Sequence, residues 1–190
     1  MILIPVLNEE KAIGYVLDEI LDLGIPRENI VVIDGGSTDK TIEIARSRGV
    51  RVVSQEGVGK AAAIRAGLRF VSTPYVLVMD GDYTYPAAYI IDLYKKIISD
   101  ECDLVIGSRV FGRESQKILF KIGNKILTTF FNILYGVRIR DVLSGMYIAR
   151  AEELKRVNFE MRGFSVESEI VSHFANLGRV CETPITYRSR

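Results

Sequence analysis

Five short apolar runs, Ile2–Val6, Ile30–Asp34, Arg51–Ser54, Tyr75–Asp80 and Asp103–Ser108, recur along the chain with longer stretches of helical spacing between them. Runs that are near-continuously apolar, rather than alternating, belong to strands buried on both faces, which calls for a parallel sheet with helices on either side. The intervening stretches supply those helices. Glu9–Leu23 carries Ile13, Val16, Leu17, Ile20 and Leu21 on one face and stops at Gly24, a C-terminal cap. Thr38–Arg48 opens on Ser37-Thr38-Asp39, where side-chain oxygens can cap a helix, and stops at Gly49. Gly59–Val71 and Pro86–Ile98 follow, the second with proline in its first turn. Beyond Gly107-Ser108-Arg109 the rhythm changes to a long amphipathic stretch over Ser115–Leu134, a short strand near Gly145–Ala149, a helix over Val166–Leu177 and a last strand over Val180–Tyr187. With 190 residues, no repeat and no linker, the chain is expected to form one α/β domain around a mostly parallel, Rossmann-like sheet.

Open sheets of this kind bind ligands at the carboxyl ends of their strands, so the residues standing there are the candidates. Tyr75–Met79 ends on Asp80-Gly81-Asp82, two hard carboxylate ligands one residue apart, a pair suited to a divalent cation on a diphosphate. Ile30–Ile33 ends on Asp34-Gly35-Gly36-Ser37-Thr38-Asp39, an acid, two glycines that admit a ligand to the backbone, and a helix start. There Asp34 can accept hydrogen bonds from a ribose or base, while Asp39 caps its helix. Pro5-Val6-Leu7-Asn8-Glu9-Glu10 leaves the first strand in the same way, with backbone N–H groups directed at the crevice. Gly57-Val58-Gly59-Lys60 is glycine-rich but has neither the P-loop nor the dinucleotide spacing, which argues against an ATPase or a dehydrogenase. Lys60 either reaches a nucleotide or is a solvated turn lysine.

Net charge is +1, unevenly spread: seven of the 25 basic residues and one of the 24 acids lie between Arg109 and Arg140, so an anionic partner is expected there. Within Ser115–Leu134, Ile118, Ile122, Ile126 and Phe130 form one i,i+4 row and Lys117, Lys121 and Lys125 the row beside it. That pattern fits either a core helix with a solvated edge or a helix lying in a membrane interface. The greasy run Ile126–Tyr135, broken by Thr128, Thr129 and Asn132, is too short to span a bilayer, and the first residues lack the charged leader of a signal peptide. Cys102 and Cys181 show no paired spacing, so they are expected to be core thiols in a reducing compartment. His173, the single histidine, is expected to be structural, since a zinc site or a hydrolase triad needs partners the chain lacks.

Six motifs, Pro5…Asn8-Glu9-Glu10, Asp34-Gly35-Gly36-Ser37-Thr38-Asp39, Gly57-Val58-Gly59-Lys60, Asp80-Gly81-Asp82, Gly107-Ser108-Arg109 and Asp141-Val142-Leu143-Ser144-Gly145-Met146, stand in the order found in family 2 inverting glycosyltransferases of the GT-A fold. The chain resembles in particular the branch that includes the dolichol-phosphate mannose and glucose synthases, over essentially its whole length. The resemblance implies a donor half over residues 1–109, in which Pro5, Glu9 and Asp34 hold a UDP- or GDP-hexose with Lys60 and Gly81 nearby. Asp80 and Asp82 would engage Mg²⁺ or Mn²⁺ on its diphosphate, Arg109 would face phosphate, and Arg188 would close over the donor. It implies an acceptor half over residues 110–190, with Asp141 beside the acceptor and Ser144, Glu167, Glu169, Lys117 and Lys121 contacting it. Asp141, Arg109 and Asp82 are the candidate catalytic residues. Thr84 stands where the mannose synthases carry a metal-binding glutamine, and Gly35 replaces the second acid of the commoner Asp-Asp-Gly-Ser. The implied partners are a polyprenyl phosphate and a membrane surface on the cytoplasmic side, held peripherally, with no nucleic acid. A transferase acting on a soluble or glycan hydroxyl, and a catalytically silent nucleotide-sugar-binding module, are the alternatives; a pyrophosphorylase is disfavoured because its glycine-rich signature after the first strand is absent.

Overall fold

The computed structural model describes residues 1–100, 102–111, 118–159 and 166–188, and only the backbone of 110, 111 and 118–121. Among the described residues seven strands form one sheet: β1 (Ile2–Val6), β2 (Ile30–Asp34), β3 (Arg51–Ser54), β4 (Tyr75–Val78), β5 (Leu104–Phe111), β6 (Tyr147–Arg150) and β7 (Val180–Thr186), in the order β3-β2-β1-β4-β6-β5-β7. The pairs β2–β3, β1–β2, β1–β4 and β5–β7 are parallel, while β6 runs antiparallel to both β4 and β5.

Alternate side chains of the buried strands feed two cores. Leu3, Val31, Ile33, Val76, Val78, Leu104 and Ile106 pack on one face with α3 (Lys60–Leu68) and α7 (Val166–Ala175). Ile2, Ile4, Ile30, Val32, Leu77 and Met79 pack on the other with α1 (Ile13–Asp22), α2 (Thr41–Ser47) and α4 (Tyr89–Ser99). A long helix, α5 (Ile118–Tyr135), and a single turn, α6 (Ala151–Leu154), complete the order.

The helices α1 and α2 both begin later than their sequences suggest, because the two loops before them cap one another. Asn8 N donates to Ser37 Oγ at 2.9 Å, Glu9 N to Thr41 Oγ1 at 2.8 Å and Glu10 N to Asp39 Oδ2 at 3.1 Å. In return Thr38 N donates to Asn8 Oδ1 at 2.8 Å and Lys40 N to Glu10 Oε2 at 3.2 Å. Asn8 sits at φ +56° to make the exchange. Asn8, Ser37 and Thr41 are spent on fastening the exits of β1 and β2 together, while Asp39 does both, accepting from Glu10 N across the loops and from Thr41 N at 3.0 Å at the start of its own helix.

One expectation is corrected here. Cys102 and Cys181 are joined by a disulfide, with Cα atoms 6.1 Å apart. They are 79 residues apart in sequence, and only the parallel pairing of β5 with β7, in which Val105 stands opposite Cys181, brings them together. The cysteines therefore lend no support to a reducing compartment. Closing a loop of this length restricts the unfolded chain by about 4 kcal/mol on the chain-entropy account. The double variant Cys102→Ala/Cys181→Ala is expected to be less stable by that margin, seen as a lower guanidinium midpoint, and reductant should shift wild type but not the variant.

Candidate active site

The carboxyl ends of β1, β2 and β4 open onto a cavity of about 520 Å³. Its wall includes Pro5, Leu7 and Glu9 from the β1 exit, Gly35 from the β2 exit, and Asp80, Gly81 and Asp82 from the β4 exit. Lys60 closes it from α3, Arg109 from β5, Glu167 from α7 and Tyr187 from the end of β7. Gly57 and Gly59, at φ +96° and +88°, shape the turn that delivers Lys60 at the start of α3, a turn that side chains with a Cβ disfavour.

Charge is concentrated at the floor. Lys60 Nζ bonds Asp80 Oδ1 and, at 2.6 Å, Glu167 Oε1, so one ammonium joins an acid of the N-terminal half to an acid of the C-terminal half. Burial alone would lower the Lys60 pKa, but Asp80 and Glu167 outweigh it and hold the group well above its ordinary value. Burial pushes the Glu167 carboxyl up, against the opposing pull of Lys60. Tyr147 Oη is buried close to all three and has no hydrogen-bond partner among the described residues. Asp82 is oriented by Thr84, whose N and Oγ1 donate to its Oδ1 at 3.1 and 2.6 Å. Thr84 itself is buried, so the residue standing in place of the glutamine braces an acid instead of facing the cavity.

Asp80 is pressed against the Asp141–Met146 loop. A Cβ on Gly145 would overlap Asp80 Oδ2, which explains a glycine at this position. The loop is pinned by Tyr85, whose Oη accepts from Gly145 N at 2.7 Å, and by Ser144, whose Oγ donates to Gly107 O at 2.6 Å. Two hard carboxylates on one cavity wall fit Mg²⁺ or Mn²⁺, with a diphosphate able to complete the coordination.

Arg109 and Asp141 form the second charged unit. Arg109 donates from Nε to Asp141 Oδ2 at 2.6 Å and from a terminal nitrogen to Oδ1 at 2.8 Å, and its backbone N also reaches Oδ2 at 3.1 Å. Asn124 Nδ2 donates to Oδ1 at 2.8 Å. Burial, which would raise the Asp141 pKa, is overcome by the Arg109 guanidinium, and the carboxyl is held below its ordinary value. Asp141 is only 4% exposed and lies behind Arg109 rather than on the cavity wall. Glu182 supports the same loop by accepting from Arg140 N at 2.7 Å and from Ser108 Oγ.

Other candidates lie off the wall. The Asp34 carboxylate turns back to accept from Gly36 N and Ser37 N, so it shapes the turn that presents Gly35. Ser144 is buried in its own loop. Glu169 is half-buried on α7 and Arg188 is held on Glu19, at 2.7 Å, with its guanidinium 4.1 Å over the Tyr83 ring. Lys117 lies outside the described residues, and for Lys121 only the backbone on α5 is described. His173 packs edge-on against Phe174. A second cavity of about 580 Å³ adjoins the first, sharing Glu9 and Asp82 and lined also by Tyr15 and Tyr83.

The helix α5 buries a mixed polar and aromatic side and leaves most of its large aliphatic side chains exposed. Its inward side carries Asn124, Thr128 and Asn132 with Phe131 and Tyr135, whereas Ile122, Ile126, Leu127, Phe130, Ile133 and Leu134 are exposed, Ile126 by 66% and Ile133 by 77%. No helix among the described residues is long and apolar enough to cross a membrane.

A mostly parallel sheet with acids and a basic pair gathered over its carboxyl edge is the GT-A arrangement, and comparison with known proteins agrees. The glycosyl transferase family 2 model matches residues 1–151, and the chain belongs to that family. Two Haloferax volcanii proteins are similar to it: glycosyltransferase AglJ, 35% identical over all of this chain and 63% of that protein, and dolichyl-phosphate hexose transferase, 36% identical over 96% of this chain and 80% of that protein. The chain thus spans less than two thirds of the first relative's length. The crystal structure of glucosyl-3-phosphoglycerate synthase from Mycobacterium tuberculosis, in complex with Mn²⁺, uridine diphosphate and glucosyl-3-phosphoglycerate, aligns with all of this chain and 71% of that one, at TM-score 0.80 and 25% identity.

Proposed function

We propose that the chain transfers a hexose, with inversion, from a UDP- or GDP-hexose to a polyprenyl phosphate, held peripherally at the cytoplasmic face of a membrane. Residues 1–109 bind the donor and residues 110–190 the acceptor. Pro5 and Glu9 contact the nucleoside and Asp34 shapes the turn beside it; Asp80 and Asp82 hold Mg²⁺ or Mn²⁺. When bound, the ion supplies charge neutralisation for the leaving diphosphate. Arg109 adds a fixed positive charge to the same developing anion, at no cost of reorganisation, because Asp141 already holds it in place. Glu167, through Lys60, links the acceptor side to the donor acids, with Ser144 and Glu169 supporting it and Lys117 and Lys121 drawn to the lipid phosphate. Arg188 leaves Glu19 to close over the donor.

Two features favour a phosphate acceptor over a hydroxyl. A phosphate is already ionised near neutral pH and needs no strong base, and Asp141, whose two oxygens are committed to Arg109 and Asn124, suits a positioning role better than proton abstraction. The observation that carries the lipid assignment is α5, whose outward side leaves six large apolar side chains, Ile122, Ile126, Leu127, Phe130, Ile133 and Leu134, exposed beside Lys125. A large exposed apolar patch marks an interaction site. The Haloferax volcanii dolichyl-phosphate hexose transferase supports the same acceptor class.

Wild type is therefore expected to float with anionic vesicles at low salt, and less so as salt shortens the screening length to about 10 Å or below. The Ile126→Ser/Phe130→Ser variant removes two side chains from the outward face, at about 1.5 kcal/mol each, and should partition about 100-fold more weakly. If wild type ignores vesicles and glycosylates a water-soluble hydroxyl, the glycan-hydroxyl reading takes its place.

A further inference from the structure

We infer that Asn124 is a positioning residue which, through Asp141, sets the pose of Arg109 in the cavity and couples it to contact between the outward side of α5 and an anionic lipid surface. The coupling rests on the membrane reading above; the positioning step does not. Asn124, Thr128 and Asn132 follow one another at i,i+4 spacing along the inward side of α5. Each is bonded to one short segment. Asn124 Nδ2 donates to Asp141 Oδ1 at 2.8 Å, Val142 N donates to Thr128 Oγ1 at 3.3 Å, and Asn132 exchanges two bonds with Ile139, at 2.8 and 3.0 Å. Thr128 Oγ1 also donates to Asn124 Oδ1 at 3.3 Å, which fixes the amide with its NH₂ toward Asp141.

An apolar helix face could slide or roll over its neighbour with little penalty, but hydrogen bonds weaken steeply with distance and angle. A row of them makes α5 and residues 139–142 move together. The last link is rigid too, because the same Asp141 oxygens hold Arg109 in a two-pronged ion pair, and Arg109 lines the cavity. Displacement of α5 by a surface against its apolar side is thus passed through two charge-assisted contacts to the cation that faces the donor phosphates.

The probe is UDP or GDP, whichever wild type binds, with Mn²⁺, measured by calorimetry with and without anionic vesicles. Asn124→Ala is expected to weaken vesicle-free diphosphate affinity by about tenfold, the effect of losing a hydrogen bond to a charged group, while retaining far-UV circular dichroism and vesicle binding. Vesicles should tighten wild-type affinity by about fivefold or more and act clearly more weakly on Asn124→Ala, which keeps the Thr128 and Asn132 bonds but loses the one to Asp141, a difference that a purely structural role would not produce. If the alanine variant misfolds, Asn124→Ser, too short to reach Asp141, carries the same expectation. Wild-type vesicle-free affinity in the folded variant overturns the positioning step. Vesicle binding by wild type with no change in its affinity, or an undiminished response in the variant, overturns the coupling and leaves the membrane reading standing. Failure of wild type to bind vesicles overturns the coupling together with the membrane reading, and the vesicle-free arm then decides the positioning step alone.

Discussion

Asp80→Ala and Asp82→Ala are each expected to reduce Mn²⁺-dependent binding of UDP or GDP by more than about 100-fold, the upper range seen for loss of residues that only support metal ligands. Both acids sit on the cavity wall at the end of β4, outside the two cores, so the fold should persist. Gly145→Ala should approach the same result without removing a charge, because the new methyl group would occupy the position of Asp80 Oδ2 and drive the carboxylate away from Lys60. Calorimetry showing wild-type Mn²⁺-dependent affinity in the two aspartate variants would remove the metal assignment, and full-rate transfer in excess chelator would do the same.

The second large effect is at the Arg109–Asp141 pair. Asp141→Ala leaves a mostly buried guanidinium without its counter-charge, and stability is expected to fall by about 3–5 kcal/mol. The Asp141 pKa is lower in the folded chain than in the unfolded one, so the stabilisation is complete at neutral pH and is lost as pH falls through and below the ordinary carboxylate range. Denaturant midpoints measured from neutral to acid pH should converge for wild type and Asp141→Asn. Kinetics separate the two possible roles of this acid. Acting through Arg109, Asp141→Asn loses diphosphate affinity and transfer together, by about 10- to 100-fold; a general base would lose about 10²- to 10⁴-fold in turnover with diphosphate affinity preserved.

The inner strands were legible because burial on both faces leaves a plain mark, a short apolar run followed by glycine or acid, as in Ile30–Asp34 and Tyr75–Met79, whereas the edge strand β3 is exposed at Arg51 and Ser54 and shows only Val52-Val53. The late starts of α1 and α2 were not, since Asn8, Ser37, Thr41 and one oxygen of Asp39 bind across two loops and local propensity carries no record of such partners; the other Asp39 oxygen caps its own helix as expected. The disulfide was hidden for the same reason: β5–β7 pairing joins residues far apart in sequence. At the site, position along a strand told which residues reach the carboxyl edge, but not which way they turn. Thus Asp80, Asp82, Lys60 and Arg109 reach the cavity, whereas Asp34 folds onto its own turn and Ser144 onto β5. Thr128 and Asn132 read in sequence as interruptions of a greasy run; with Asn124 they form a polar row on the inward side of α5 beside Phe131, while Ile126, Phe130 and Ile133 face out.

The most direct test supplies the protein with Mn²⁺ and a panel of radiolabelled UDP- and GDP-hexoses, with polyprenyl phosphate in vesicles and a glycan hydroxyl acceptor in the same mixture. The expected result is label in the organic phase from one of these donors, lost on adding chelator and absent in Asp80→Ala. Label confined to the aqueous glycan, or lipid labelling that survives both chelator and Asp80→Ala, would contradict the account.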